Sequence, residues 1–566
     1  MPRLVATKII ECHRIPFVGL VRGSWFLWYP RGTMTPFLLF LTFFCAGPLT
    51  LQALGASPSA PISEDRIQIR LRQMLDVPDS VQGSLSLDLK SVTLAAMMRS
   101  DSFRSLLSKI PMIPVDRLEQ EALTDATLFA QGKQEWNRNQ PNSLFGTNRF
   151  DQTSMDVGVE KRLASGTKLT LGLSEFRNNS AFGSFGNVDS KVAGGRLNLS
   201  QSLWRDFFGS STRKLLDSGK AKSEAKKIEL ESEIEDWFLQ LSGLFHQVWM
   251  AQKRIEATRA SLERKERLAG LFARRKSLGI SEEAEQIQVE SAVKQTRVQL
   301  EEMTRLLEKQ WSLLVVSLKL GEEDRRTDPI LIPVHLETEL SEPAKDCADP
   351  VDSNRDIRQL ELELSALQLQ SGVALDQARP ELLLDLGIGT NGSVLNAADE
   401  FQTRWLNTLT ARFPAYTIGF GFRLPLDASI EKSRILSSLS MTRQLESQLS
   451  DLRARMISTL DTSCAELAML GRHYRLYDGI ERDMKKRIKL EETRYRQARS
   501  SPFSVLQAGD ELYGTTLSLH TTLAEWWNRH WSLKKTKGLL FQELDAWVSE
   551  KTGKSIFSNA GAGNMP

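Results

Sequence analysis

Two periodicities alternate along this chain, and each occurs twice. From Lys214 to Lys276 there is no proline, and apolar residues recur every seven positions at Ile234, Leu241, Val248, Ile255, Leu262 and Ala269. A second seam runs beside the first through Trp237, Leu244, Ala251 and Phe272, interrupted by Thr258 and Lys265. A sustained seven-residue repeat predicts left-handed coiled-coil packing rather than an ordinary globular helix. After Leu278-Gly-Ile-Ser281 the pattern resumes at Val293, Leu300, Leu307 and Leu314 and stops at Gly321, which makes a helical hairpin. At 1.5 Å rise per residue its first arm is on the order of 100 Å long. The second copy runs from Ile430 to Arg499, with Leu445, Leu449, Leu452 and Met456 on one stripe. It turns at Ser500, Ser501, Pro502 and Phe503 and returns from Val505 to Val548.

Between the helices the period changes from seven to two. In Tyr416-Thr-Ile-Gly-Phe-Gly-Phe-Arg-Leu424 the large apolar residues Tyr416, Ile418, Phe420 and Phe422 alternate with Thr417, Gly419, Gly421 and Arg423. Leu382, Leu384, Leu386 and Ile388 alternate in the same way with Asp385, Gly387 and Gly389. In the first half Gly195, Leu197, Leu199 and Leu203 alternate with Arg196, Asn198, Ser200 and Ser202, with Gln201 breaking the apolar face, and Thr127 to Trp136 is a weaker partner strand. Alternation over about ten residues suits a tilted strand with lipid on one side and a wet lumen on the other. Trp136, Trp204 and Trp405 lie near strand ends, as interfacial aromatic residues do.

A sheet in hydrocarbon must close on itself, because no water is present to satisfy its edges. Four strands cannot close, since known barrels need at least about eight. Several copies must therefore pool their strands, and three copies of four would make twelve. A further hairpin, Ser154 to Leu163 and Lys168 to Phe176 joined by Ser165-Gly-Thr167, reads as a strand extension or an extracellular hairpin outside that count.

The first 56 residues change the picture by supplying an address. Phe37-Leu-Leu-Phe-Leu-Thr-Phe-Phe-Cys45 is followed by Pro48 and by small residues at Ala53, Gly55 and Ala56, which is the pattern of a secretory signal peptide. The residues before Cys45 are too bulky for a lipoprotein signal. Cleavage removes Arg3, Lys8, Arg14, Arg22 and Arg31 against only Glu11, leaving the remainder electrically balanced. A balanced chain with no basic stripe gives no support for nucleic-acid binding.

Only Cys347 and Cys464 follow the leader. With one in a loop-like stretch and the other inside a helix, no disulfide is expected. His246, His335, His473, His520 and His530 are scattered without metal-ligand spacing, and no phosphate loop or nucleophile elbow occurs. No catalytic residue, metal site or cofactor is expected.

Taken in order, these segments resemble the TolC family of outer-membrane efflux proteins over nearly the whole mature length. The first half opens with Leu85-Ser-Leu-Asp-Leu-Lys-Ser-Val-Thr-Leu-Ala-Ala-Met-Met-Arg-Ser100, similar to that family's leucine-rich opening helix. Leu197-Asn-Leu-Ser-Gln-Ser-Leu-Trp204 resembles its strand-to-helix passage. Ala378-Arg-Pro380 and Leu424-Pro-Leu426 resemble its entry to a strand and exit to the long helix. Arg275 to Ser281 is similar to its periplasmic tip, whereas Arg499-Ser-Ser-Pro-Phe503 lacks the glycine usual there.

The resemblance implies an α+β membrane protein: a trimeric outer-membrane β-barrel, about four strands per protomer, continued by a long periplasmic α-helical coiled-coil barrel with a two-fold internal repeat. The domains would be a signal peptide (1–56), a first repeat (57–321), a linker (322–352), a second repeat (353–548) and a tail (549–566). The first repeat would carry strands at about 126–203 and a helical hairpin at about 210–320. The second would carry strands at about 381–424 and a hairpin at about 430–548.

The implied function is passive conduction in a tripartite efflux or type I secretion system. Its partners would be a periplasmic adaptor, an inner-membrane transporter and outer-membrane lipid. Leu278, Gly279, Ile280, Ser281, Ser500, Ser501, Pro502 and Phe503 would form the adaptor-contacting tip. Leu382, Leu384, Leu386, Ile388, Tyr416, Ile418, Phe420 and Phe422 would face lipid. The competing reading is a periplasmic coiled-coil adaptor or another secretion scaffold component, which shares the hairpins but needs no alternating strands.

Overall fold

The computed structural model describes residues 87–138, 147–182, 186–277, 283–319, 329, 334–338, 340, 353–395, 401–553 and 555–556. Three short helices, α1 (Leu89–Arg99), α2 (Asp101–Leu107) and α3 (Val115–Glu121), lead into strands β1 (Ala126–Asn137), β2 (Thr147–Arg162), β3 (Lys168–Phe182) and β4 (Gly186–Ser202). The long helix α4 (Ser210–Ser277) and its return α5 (Glu283–Leu318) follow. The second half repeats the order with α6 (Arg355–Gln377), β5 (Glu381–Leu395), a short helix α7 (Phe401–Leu409), β6 (Pro414–Arg423), the long helix α8 (Ser429–Arg496), α9 (Pro502–Thr536) and α10 (Leu540–Thr552). Helices α4 and α8 have 68 residues each. At 1.5 Å per residue each is about 100 Å long.

The heptad positions Ile234, Leu241, Val248 and Ile255 are buried on α4. The companion seam that closes the core is Phe238, Phe245 and Gln252, all buried, and not the expected Trp237 and Leu244, which are half-buried at its flank. The spacing explains the shift: positions 234, 238, 241, 245 and 248 alternate steps of four and three, the a/d rhythm of knobs-into-holes packing. Leu262 and Ala269 are only half-buried, and Leu268 and Phe272 carry the packing toward the tip.

The apolar packing forms two clusters. The larger joins the middle of α4 to α1, the ends of α5 and α9, the middle of α8, and α10. Its centre is aromatic, with Phe238 against Trp531 at 5.2 Å and Trp547 at 5.9 Å between ring centroids. The smaller cluster lies at the turn end of both hairpins, where Phe272 stacks on Tyr495 at 5.9 Å with Val505, Leu506 and Leu512 around them. The cluster therefore brings the last turns of α4 and α8 together with the first turns of α5 and α9.

The expected continuous return from Val505 to Val548 is broken at Gly538, whose φ is +70°. A Cβ there would stand 2.1 Å from the Ser353 carbonyl oxygen, so the close approach admits only glycine. The break brings the start of α6 against the α9 to α10 corner. Asn354 caps α6 by accepting from Asp356 N and Ile357 N, and its amide donates to Thr536 O at 2.8 Å. Beside it the Arg355 guanidinium donates to Gly538 O at 2.7 Å and pairs with Glu235 at 2.7 Å.

Cys464 is disulfide-bonded, contrary to expectation. The other three cysteines, Cys347 among them, lie outside the described residues. Sequence spacing alone does not reveal which cysteines a fold brings within bonding distance.

Candidate functional site

All six strands form one antiparallel sheet in the order β1-β2-β3-β4-β5-β6. This corrects the expected four. The hairpin from Ser154 to Phe176 is neither an extension nor an extracellular ornament, because β2 pairs with β1 and β3 with β4 along nearly their whole lengths. Its turn lies at the end of the sheet from which the long helices leave. There Gly166 and Gly209 take positive φ values of 74° and 76° and face each other so closely that a Cβ on Gly209 would stand 2.1 Å from Ala164 O.

Arg162 at the end of β2 pairs with Asp206 at 2.9 Å. Asp206 also holds the start of α4, accepting from Ser211 N at 2.7 Å, Thr212 N at 3.0 Å and the Thr212 hydroxyl at 2.7 Å. Its own N–H donates to Asp376 Oδ2 at 2.7 Å, which ties the corner to the end of α6 in the second half. A buried carboxylate that collects this many donors fixes where strand becomes helix.

The register shows what the sheet can do. Leu128 pairs with Val159, Val159 with Leu171, Leu171 with Leu197, Leu197 with Ile388, and Ile388 with Tyr416. One apolar row thus crosses all six strands on one face. A second row repeats it at Leu169, Leu199, Leu386 and Ile418. The eight residues expected to face lipid pair across β5 and β6 as Leu382 with Phe422, Leu384 with Phe420, Leu386 with Ile418 and Ile388 with Tyr416. Tyr416, Ile418 and Phe420 are 75, 70 and 73 % exposed, so among the described residues nothing covers this part of the face. Leu382 and Leu384, nearest the helices, are half-buried.

The opposite face is mostly polar or bare. Arg196 pairs with Asp156 at 3.2 Å and Lys168 with Glu160 at 2.7 Å across β2, β3 and β4. Phe129 lies over Gly158, where a Cβ would stand 2.6 Å from its ring. Sequence reasoning left β2 and β3 outside the barrel count, although Met155, Val157 and Val159 on β2 and Leu169, Leu171 and Leu173 on β3 carry the same alternation that marked β5 and β6.

Of the expected tip residues, Leu278, Gly279, Ile280 and Ser281 lie outside the described residues. The second tip is described. Ser501 caps α9 by accepting from Ser504 N at 3.3 Å, Pro502 occupies its first turn, and the Ser500 hydroxyl donates to Glu491 at 2.8 Å. The positive φ that a glycine would have supplied is taken by Ala498, at 60°. Phe503 is 58 % exposed and opens a groove of about 610 Å³ between α5 and α9, lined by Gln288, Gln295, Leu506, Asp510 and Glu511 among others.

Among the described residues no cluster of three or more His, Cys, Asp or Glu side chains could hold a metal ion. Two titratable groups are nevertheless strongly displaced, both in the helical part. Burial pushes the Glu235 carboxyl from 4.5 up to about 7, against the pull of Arg355. Burial pushes His246 from 6.5 down to about 4, against its hydrogen bond to Asn528.

These shifts act on stability with opposite signs. The contribution of Glu235 is fully present below 4.5 and is lost as pH rises through about 7. That of His246 is present above 6.5 and is lost as pH falls toward 4. Between 4.5 and 6.5 the two oppose each other. Glu235→Gln is therefore expected to leave the His246 slope uncovered, so that stability rises with pH by up to roughly 1.4 kcal/mol per unit in this window. Thermal unfolding of the detergent-solubilised variant across pH 4.5–6.5 checks it, and a profile parallel to the parent would contradict the assignment.

No protein-family model matches the sequence, and no curated protein is significantly similar to it. Solved structures do match. The outer membrane protein VceC from Vibrio cholerae aligns with a TM-score of 0.57 at 13 % identity over 80 % of this chain and 96 % of its own. The CmeC outer membrane channel of Campylobacter jejuni aligns at 0.57 and 12 % identity over 85 % of this chain and 94 % of its own. The open state of the MtrE outer membrane channel of Neisseria gonorrhoeae aligns at 0.53 and 14 % identity over 82 % and 96 %. The chain has the fold of these outer-membrane channels.

Proposed function

We propose that this protein is an outer-membrane efflux duct: a passive conduit whose sheet lines a pore through the outer membrane and whose long helices continue the pore into the periplasm. One observation carries the reading. A face apolar across all six strands, exposed, backed by a polar face, belongs to a sheet with two open edges, and such a sheet is stable in hydrocarbon only when those edges are paired. Strands β1 and β6 run in opposite directions, so β6 of one copy can pair antiparallel with β1 of the next.

Strand number alone does not choose the number of copies, since two copies of six already exceed the roughly eight strands a barrel needs. The resemblance to the TolC family implies three, hence eighteen strands. Barrel diameter grows roughly linearly with strand number, so the pore would be about one and a half times as wide as one of twelve strands. The groove at Phe503 and the turn at Leu278 to Ser281 would receive a periplasmic adaptor that joins the duct to an inner-membrane transporter. The conduit itself needs no cofactor.

Extraction separates the duct from a periplasmic adaptor. Alkaline washing of membranes is expected to leave the protein in the outer-membrane fraction and detergent to release it. Release by the alkaline wash would overturn the reading.

A further inference from the structure

The connection between β5 and β6 folds back as helix α7 onto β4 and β5, on the apolar side of the sheet. The Thr408 methyl lies 3.6 Å from the point where a Cβ on Gly195 would stand, with the Leu173 side chain 3.7 Å from the same point. The Thr408 hydroxyl donates to Ala193 O at 3.0 Å, and the Thr390 hydroxyl donates to Thr408 O at 2.9 Å. Gly392 is bare because a Cβ there would stand 2.3 Å from Arg404 O. Arg404, 1 % exposed, pairs with Glu175 at 3.3 Å beneath the helix.

The surface that α7 covers is where the apolar face fails. Beyond the Leu197 and Ile388 row the same face carries Gly195, Ala193, Thr390, Gly392 and the charged Glu175. From Leu382 to Ile388 the apolar rows of β5 cover about 20 Å of strand, which at a tilt of about 40° is only about 16 Å of height. A lipid-facing band is about 25 Å tall. Nine residues of helix lying along the strands span about 13 Å, which at the same tilt adds about 10 Å of height and brings the total to about 26 Å.

The side of α7 turned away from the sheet carries no charge. Leu406 and Leu409 are 62 and 72 % exposed there, and the Thr410 hydroxyl is bonded back to Leu406 O at 2.7 Å. Arg404, the helix's one cation, is turned inward onto Glu175, and Arg412, exposed just past the end of the helix, lies at the level of Thr390 and Asn391.

We propose that α7 is a lipid-contacting helix that completes the apolar belt toward the outer rim of the barrel, shielding Glu175 and presenting Leu406 and Leu409 to acyl chains. The inference rests on the outer-membrane reading above. Nitroxide labels at Leu406→Cys and Leu409→Cys test it in the full protein reconstituted into phosphatidylethanolamine and phosphatidylglycerol vesicles. Ile418→Cys on the strand belt and Thr417→Cys on the opposite face serve as references, and the labelled parent gives the background.

Collision with dissolved oxygen is expected to exceed collision with a water-soluble nickel chelate several-fold at 406, 409 and 418, and to fall below it at 417. A water-like signal at 406 and 409 with a lipid-like signal at 418 would place α7 in solvent and overturn the proposal. Low collision with both reagents at 406 and 409 would mean that protein covers the helix, which overturns it equally. A water-like signal at 418 would instead defeat the outer-membrane reading itself.

Discussion

Ile418→Arg is expected to abolish assembly of the protein in the outer membrane, whereas Gly419→Arg one residue away still assembles. Ile418 is 70 % exposed in the middle of the apolar rows, paired with Leu386. A cation near the bilayer midplane costs roughly 2–4 kcal/mol on the lipid face of a barrel, and a symmetric assembly incurs the cost in every copy. Gly419 faces the other way and pairs with Asp385, whose Cβ would lie 3.7 Å from a new Cβ at 419. An arginine there meets a carboxylate and, by the account above, a wet lumen. Heat-resistant oligomer in the membrane fraction is the readout. Equal loss for both variants would mean that the faces are assigned wrongly or are not distinct environments.

The second large effect is expected at the far end. Phe503→Asp should leave expression, oligomer and barrel intact while abolishing export in cells, because Phe503 is more than half exposed and little core is lost with it. It stands at the mouth of the groove between α5 and α9, beside Leu506 of the tip cluster, where an exposed aromatic side chain fits an anchor for a partner. Leu278→Asp and Ile280→Asp are expected to act in the same way. Export that survives all three changes with the oligomer normal would move the partner's grip away from the tips and along the helices.

Much of this architecture was legible in the residues because two periods do not overlap. Ile234, Leu241, Val248 and Ile255 could only lie together on a helix, and Tyr416, Ile418, Phe420 and Phe422 only on a strand. The β2 and β3 strands carried the same alternation, but on each it is only three apolar residues long and runs into polar stretches such as Asn178-Asn-Ser180. Alternation that short is consistent with a surface hairpin, and only pairing register shows that Val159 and Leu171 continue the row from Leu128 to Tyr416.

Other features depend on tertiary placement and leave little local trace. The second tip lacks a glycine, and Ala498 takes up the left-handed conformation that the surrounding turn imposes. The break at Gly538 reads locally as one more helical glycine until the Ser353 carbonyl is seen against it. Helix α7 leaves little local trace because its nine residues lie within a connection of 18 between β5 and β6, and its role depends on Glu175, more than 200 residues earlier. The disulfide at Cys464 joins the same class.

The measurement that bears most directly on the account is the mass of the protein extracted from outer membranes in mild detergent, taken together with its β-sheet signal. The protein is expected to travel as a particle of several copies of a chain of up to 63.8 kDa, three by the resemblance to the TolC family, with the sheet intact, since β1 and β6 can be satisfied only by another copy. A stable single chain that keeps its full β content would show that the six-stranded sheet needs no partner, and would contradict the duct.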